Sequence, residues 1–201
     1  MIERRSALAA HPQMQHGNRI GSPWSGEAPV ILAEQRQKSI MQVNAFATTV
    51  TEVRERLRAS VGLALPEPNR YSGDGDTSIR NIGPGIWQIV EQHHASPSAG
   101  TLRQELRGAA TVVDLTHART AFRIQGPAAR ATLAKHCSLN LNLSDFPCGS
   151  ATMTRFGAVS MALACIHEAP MFEVMVFRGY GEYILESLLQ SASEYGLLIS
   201  S

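Results

Sequence analysis

The residues of this chain best suited to acid–base chemistry are Asp114 and His117. A carboxylate close to an imidazole can fix the tautomer of the ring and raise its basicity. No serine or cysteine nucleophile is visibly associated with the pair, and His117 falls in a predicted turn between two strands. A local hydrogen bond that closes this turn is therefore favoured over a catalytic pair.

Two other segments contain residue types that bind metals or phosphates. His93 and His94 are adjacent, so their side chains point in different directions whether the backbone is extended or helical. An exposed loop pair is favoured over a metal site. The run Gly73-Asp74-Gly75-Asp76 lacks the terminal Glu of an EF-hand loop and the Gly-Lys-Ser/Thr of a P-loop, which favours a flexible turn.

The cysteines and arginines also give no catalytic pattern. Cys137, Cys148 and Cys165 are odd in number and lack Cys-x-x-Cys spacing, so we expect reduced thiols, with a reactive role improbable even for Cys148 beside Gly149. We predict no catalytic, cofactor-binding or metal-binding residue on this chain. Four arginines are expected to pair at a protein interface rather than to bind an anion: Arg119, Arg123, Arg155 and Arg178.

Composition narrows the function classes. Of the 201 residues 44% are hydrophobic but only 17% are charged, below the roughly 25% typical of soluble domains. This indicates that part of the surface is covered by something else. The formal net charge of +1 gives no electrostatic support for nonspecific phosphate binding. The apolar run after Arg4 and Arg5 stops at His11, too early for a signal peptide, and we expect a soluble, cytoplasmic protein.

Proline, glycine and turn residues divide the first half of the chain. Residues 1–27 are interpreted as an extended arm. Strands at 30–32 and 40–46 suggest a hairpin, and a helix follows that begins with a Thr49/Glu52 capping box and ends at Gly62. A loop is predicted over 65–77. Two strands, at 78–82 and 86–90, and a shorter helix at 99–107 follow it, and a strand from Val112 to Leu115 opens the second half.

The second half repeats this pattern loosely. Alternation of side-chain directions in 120–125 predicts a strand. After Gly126, Pro127 is placed to begin a helix that is predicted to reach about Cys137. A hairpin at 153–166 and a strand at 172–176 precede the last helix. Its apolar stripe contains Ile184, Leu185, Leu188, Leu189 and Ala192, with Gly196 placed to cap it. We predict an α+β fold with mixed, mostly antiparallel sheets, divided into a first half at 28–110 and a second half at 111–201.

Several segments in this order and spacing resemble the γ subunit of heterotetrameric sarcosine oxidase over nearly the full length. They are Glu3-Arg4-Arg5-Ser6-Ala7-Leu8, Gly83-Pro84-Gly85-Ile86-Trp87, Val113-Asp114-Leu115-Thr116-His117-Ala118-Arg119, Gly126-Pro127-Ala128-Ala129-Arg130, Leu133-Ala134-Lys135-His136-Cys137, Phe146 with Gly149, and Phe172 to Arg178. One departure is 139–143, where Leu and Asn alternate in place of an expected aspartate and histidine.

This resemblance implies the folate-binding fold of the aminomethyltransferase T-protein, with ferredoxin-like halves, and assembly with α, β and δ subunits. Such complexes demethylate sarcosine to glycine oxidatively, pass the one-carbon unit to tetrahydrofolate and reduce oxygen to hydrogen peroxide. FAD, FMN, NAD, tetrahydrofolate and zinc would then belong to the partner subunits. The γ chain is expected to be structural, which also explains the low charge fraction through a large buried interface.

Two alternatives remain open at this point. The complex could act on another N-methyl amino acid, such as N-methylglutamate, because the substrate would contact other subunits. The chain could also be a stand-alone folate-binding or aminomethyl-transfer protein, since the resemblance includes the T-protein fold.

Overall fold

The computed structural model describes residues 6, 8–36, 39–73, 76–92 and 98–200. Within these ranges the strands, numbered in chain order, are β1 Arg19–Ile20, β2 Val30–Glu34, β3 Ser39–Ala45, β4 Tyr71–Gly73, β5 Thr77–Gly83, β6 Ile86–Glu91, β7 Ala110–Asp114, β8 Arg119–Gln125, β9 Ala151–Phe156, β10 Val159–His167, β11 Met171–Phe177 and β12 Leu197–Ser200. The helices are α1 Val50–Val61, α2 Ala99–Glu105, α3 Ala129–Ala134 and α4 Gly181–Ala192, with a 3-10 turn at Arg178–Tyr180.

The chain folds into two compact units. The first contains Met1–Arg36 and Ala118–Ser201, and the second contains Gln37–His117. The predicted division at 27/28 and 110/111 differs from these limits because β2 pairs with β8 and β12, strands far along the chain. The segment 28–36 thus belongs with the second half of the sequence rather than the first.

The first unit is built on a seven-stranded sheet with the order β1-β12-β2-β8-β11-β10-β9. Its named strands pair antiparallel, except for the parallel pair β12–β2. Alternate residues of the central strands, such as Phe122 and Ile124, point into one core together with α3 and α4. All five residues of the predicted α4 stripe are buried there, which confirms the helix and its orientation.

The second unit is a five-stranded antiparallel sheet with the order β4-β5-β6-β3-β7. Trp87 and Ile89 of β6 share a core with Val53 and Leu57 of α1. The spacing of Val53 and Leu57 puts both on one helix face, and both are fully buried. The structure confirms the two predicted strands on either side of the Gly83-Pro84-Gly85 turn, which are β5 and β6. It also confirms the predicted helices α1 and α2.

The predicted hairpin between residues 30–32 and 40–46 is wrong, although both strands exist. β2 pairs with β12 and β8, whereas β3 pairs with β6 and β7. Each strand has its two edges occupied by other strands of its own unit, so no edge remains for pairing between β2 and β3.

The predicted capping box of α1 is also wrong. The Thr49 hydroxyl does not cap the helix; it donates to the carbonyl oxygens of Ala109 at 2.6 Å and Phe46 at 3.1 Å. The predicted end is confirmed, because Gly62 adopts a left-handed φ of 74° and donates its N–H to the Arg58 carbonyl at 3.0 Å.

Four smaller predictions need correction. β4 lies inside the predicted loop 65–77, and α3 ends at Ala134, not Cys137. Gly196 lies beyond the C-cap Ser193 of α4, and β12 follows it unpredicted. The described part of the arm packs onto its own unit: Leu8 is 1% exposed and β1 pairs with β12.

Candidate functional site

The Asp114 side chain closes the turn at the end of β7. Its Oδ1 accepts the backbone N–H of Thr116 at 2.9 Å, and the Thr116 hydroxyl in turn accepts the backbone N–H of Ile40 at 3.0 Å. The Leu115 N–H donates to the Ile40 carbonyl at 2.7 Å, so the turn is held against β3. This geometry supports the structural interpretation that the sequence favoured.

The electrostatics of Asp114 agree with that role. Partial burial by itself raises the pKa of the carboxyl, but hydrogen bonds from Thr116, with the charges of His117 and Arg103, outweigh it. The net pKa is lower than usual for an aspartate, so Asp114 is a carboxylate at neutral pH. A lowered pKa makes Asp114 a weaker base and so less suited to accept a proton in catalysis at neutral pH.

Two other predicted positions cannot be compared with the fold. His93 and His94, and residues 74 and 75 of the glycine–aspartate run, lie outside the described residues. The interpretations of both segments as loops stay predictions.

The surroundings of Cys137 and Cys165 disfavour the thiolate form. Cys165 is buried, and burial raises its pKa although the Arg130 guanidinium lies 3.9 Å from its Sγ. Burial also raises the pKa of Cys137. All three cysteines are free thiols, and Cys148 is half-buried against the core of the first unit. Protonated thiols are poor nucleophiles, so Cys137 and Cys165 are poorly suited to nucleophilic chemistry.

Four arginines were predicted to pair at an interface with a partner. Two of them, Arg119 and Arg123, instead contact residues of the first unit, so the prediction is wrong for these two. Arg123 forms an ion pair with the buried Glu173 at 3.3 Å. The buried Arg119 guanidinium lies 3.8 Å from the ring centroid of Phe177, and burial lowers its pKa. Arg155 is exposed and Arg178 partly exposed, so these two remain accessible.

Two hollows lie on the described part of the surface. One, beside Arg119 and Arg178, has about 10 Å³ of free volume, which is room for one water, and Glu34 in its wall is bound by Ser6 and Arg36. The other is an open depression of about 300 Å³ beside α1, lined by Arg54, Glu55, Arg58, Ala64 and Leu65. Neither is an enclosed apolar pocket of the kind that buries a cofactor.

One cluster of possible metal ligands occurs among the described residues. Donor atoms of His11, Glu182 and Glu186 lie within 4.8 Å of one another. Sequence reasoning missed it. The i, i+4 spacing of the two glutamates predicts that they share a helix face. His11 precedes Glu182 by 171 residues, and no local pattern in the sequence predicts that the two side chains approach each other.

Exposed aromatic side chains gather at the start of α4. Phe177, Tyr180 and Tyr183 are 47%, 51% and 45% exposed, and they lie within seven consecutive residues. Aromatic residues, tyrosine among them, are enriched at protein–protein interfaces. Phe177, Tyr180 and Tyr183, called here the aromatic patch, are thus suited to a protein contact.

Among the described residues, no helix has both the length and the apolar character needed to cross a bilayer. No sequence among the curated proteins matches the chain at a significant level.

Solved structures show the fold. A chain of the heterotetrameric sarcosine oxidase from Corynebacterium sp. U-96, solved in complex with pyrrole 2-carboxylate, matches with a TM-score of 0.81 at 23% identity, over 96% of both chains. The glycine cleavage system aminomethyltransferase T from Bartonella henselae matches with a TM-score of 0.61 at 16% identity. That match covers 83% of this chain and 47% of the transferase, so this chain corresponds to about half of it.

These matches confirm the predicted α+β fold of the aminomethyltransferase type. The profile of the family described as "Sarcosine oxidase, gamma subunit family" matches residues 44–194, which is most of the chain. The chain therefore belongs to the sarcosine oxidase γ subunit family.

Proposed function

We propose that this chain is the noncatalytic, structural γ subunit of a heterotetrameric sarcosine oxidase. The observation that carries the proposal is family membership over residues 44–194. The complex would oxidise sarcosine to glycine with oxygen as acceptor and transfer the one-carbon unit to tetrahydrofolate. The chain would contribute to assembly and have no independent activity.

The partners would be the α, β and δ subunits. FAD, FMN, NAD, tetrahydrofolate and the zinc of the family's complexes would be held by these partners. Two features support a role in assembly: the low charge fraction of 17% and the aromatic patch, which offers exposed rings for burial against another subunit.

The test is affinity purification of the tagged chain from its native host. We expect three further subunits to copurify, with flavin absorbance in the complex and none in the isolated chain. Recovery of the chain alone under mild conditions, or flavin that remains bound to the isolated chain, would contradict the proposal.

The identity of the amine needs a separate experiment. A complex of the same architecture could oxidise another N-methyl amino acid, such as N-methylglutamate. Comparison of kcat/KM for sarcosine and N-methylglutamate with the purified complex decides between them. We expect sarcosine to be the better substrate, and a clear preference for N-methylglutamate would reassign the complex.

A stand-alone folate-binding function is the second candidate, because the fold is that of the T-protein. Neither hollow among the described residues offers an enclosed site for folate: one has room for a single water, and the other is open and flanked by charged side chains. Calorimetry of the isolated chain with tetrahydrofolate should show no measurable heat of binding. Saturable binding would favour this second candidate.

A further inference from the structure

We propose that His11, Glu182 and Glu186 bind one divalent transition-metal ion, which clamps the N-terminal segment around His11 onto α4. The site would be on this chain itself and is independent of the cofactors expected on partner subunits. It joins two parts of the first unit that are distant in sequence.

The geometry is close to that of a three-ligand site. The donor atoms lie within 4.8 Å of one another. Ligands about 2.0–2.2 Å from a tetrahedral metal are separated by roughly 3.3–3.6 Å, so rotation of the side chains must bring the donors about 1 Å closer. Glu182 and Glu186 are exposed, which leaves their rotamers free for this movement.

His11 is placed by the fold rather than by its own side chain. Leu8, three residues earlier, is buried in the core of the first unit. The His11 N–H donates to the Leu8 carbonyl at 2.9 Å, and the His11 carbonyl accepts from Met14 at 3.1 Å. The contact of the Gln13 N–H with Nδ1 is long, at 3.4 Å, so the imidazole is not strongly committed to another partner.

The charges around the site favour a cation. Glu182 and Glu186 are four residues apart on α4, and like charges at this spacing repel. In the described part of the chain neither carboxylate has an ion pair; Lys135 is engaged by Glu194 at 2.7 Å, beyond the other end of α4. A bound divalent ion would remove the repulsion that the protein itself leaves in place.

The ligand types define the class of metal. One imidazole and two carboxylates suit Zn²⁺, Co²⁺ or Mn²⁺, whereas Ca²⁺ prefers all-oxygen sites. Three protein ligands leave at least one position for water. Because two of the ligands are exposed and must give up rotamer freedom, we expect moderate affinity.

Co²⁺ titration of the full chain, followed by calorimetry and visible absorption, tests the site. We expect one Co²⁺ per chain and at least tenfold weaker binding for each of His11→Ala, Glu182→Gln and Glu186→Gln. Glu55→Gln removes an equally exposed carboxylate from α1 and should bind as the unchanged protein does. Circular dichroism checks that every variant is folded.

A second readout tests the clamp. The midpoint of thermal unfolding should rise with Co²⁺ for the unchanged chain and for Glu55→Gln, but not for His11→Ala. No binding, or binding that all three site variants retain, would overturn the proposal. The latter result would indicate that the metal binds elsewhere, for example at the thiols.

Discussion

At the end of β7 the Asp114 carboxylate accepts the Thr116 N–H, and this hydrogen bond is stronger when the carboxyl is ionised. Its pKa is lowered in the folded state, so folding is favoured by the charged form. The stabilisation is fully present above the pKa of the unfolded carboxyl, near 3.8, and is lost as the pH falls through the lower folded value. Because Asp114 is exposed, we expect the effect to be small.

Asp114→Asn separates the charge from the hydrogen bond. Asparagine keeps an Oδ1 acceptor for the Thr116 N–H, so the variant should be slightly less stable than the unchanged protein at pH 7, and this deficit should narrow as the pH is lowered to about 2.5. Asp114→Ala removes the acceptor and should remain less stable at both values. Urea unfolding at the two pH values measures the differences. A deficit of Asp114→Asn that persists at low pH would contradict the charge argument.

Single residues were the hardest to predict from the sequence. Asp114 and His117 have types that suit catalysis, and only the Thr116 contact distinguishes a turn from a base. The Thr49 hydroxyl bonds to Ala109, 60 residues away, where local spacing predicted a helix cap. The same limitation hid the approach of His11 to α4. Such contacts depend on tertiary structure, which local patterns do not encode.

At the scale of elements, the apolar stripe of α4 fixes its place in the first unit. Leu188 lies in this stripe and is 1% exposed. Its truncation would remove buried methyl groups and leave a cavity between the helix and the sheet.

We therefore predict that Leu188→Ala lowers the free energy of unfolding by about 2–5 kcal/mol. Gln190→Ala changes an exposed residue of the same helix and should alter stability by less than about 0.5 kcal/mol. Denaturant melts of both variants measure this contrast. A Leu188→Ala midpoint equal to that of Gln190→Ala would be inconsistent with the buried position.

Gly126 joins β8 to the α3 region at a point where the backbone is crowded. Its φ is 110°, and an added Cβ would lie 2.6 Å from the carbonyl oxygen of Pro29, which precedes β2. Gly149 has a comparable φ of 85° but no atom within 4 Å of an added Cβ. A substitution at Gly149 therefore tests backbone strain alone, whereas one at Gly126 tests strain and steric clash together.

Gly126→Ala should cost roughly 2–4 kcal/mol, because strain and a backbone clash add together. Gly149→Ala should cost about 1–2 kcal/mol from conformational strain alone. Thermal unfolding of the two variants checks the order. Equal losses of stability would show that the Pro29 contact does not constrain this corner.

Helices and strands with a clear hydrophobic periodicity were well predicted from the sequence. The pairing of strands within the sheets was not. The stripe of α4 and the alternation in β8 depend on nearby residues only. The parallel pairing of β2 with β12 joins residues about 167 positions apart, as Val30 opposite Leu197 shows. Local hydrophobic patterns specify which face of a strand is buried but not which strand lies next to it.

At the scale of the whole molecule, the surface indicates dependence on partners. The charge fraction of 17% is low for a soluble domain, and the aromatic patch exposes large rings to solvent. The resemblance of motif order to the γ subunit family was correct, as the match over 44–194 shows. The proposed role within a complex, and the amine that such a complex would oxidise, would depend on other chains, so no residue of this sequence could specify them.

The most direct test of the central claim is coexpression of the α, β and δ subunits with and without this chain. Complex formation is measured by size-exclusion chromatography, and sarcosine-dependent hydrogen peroxide production measures turnover. We predict that omission of the chain prevents assembly of the complex and strongly reduces turnover, and that its addition restores both. Efficient assembly and full turnover by the three other subunits alone would contradict a structural role.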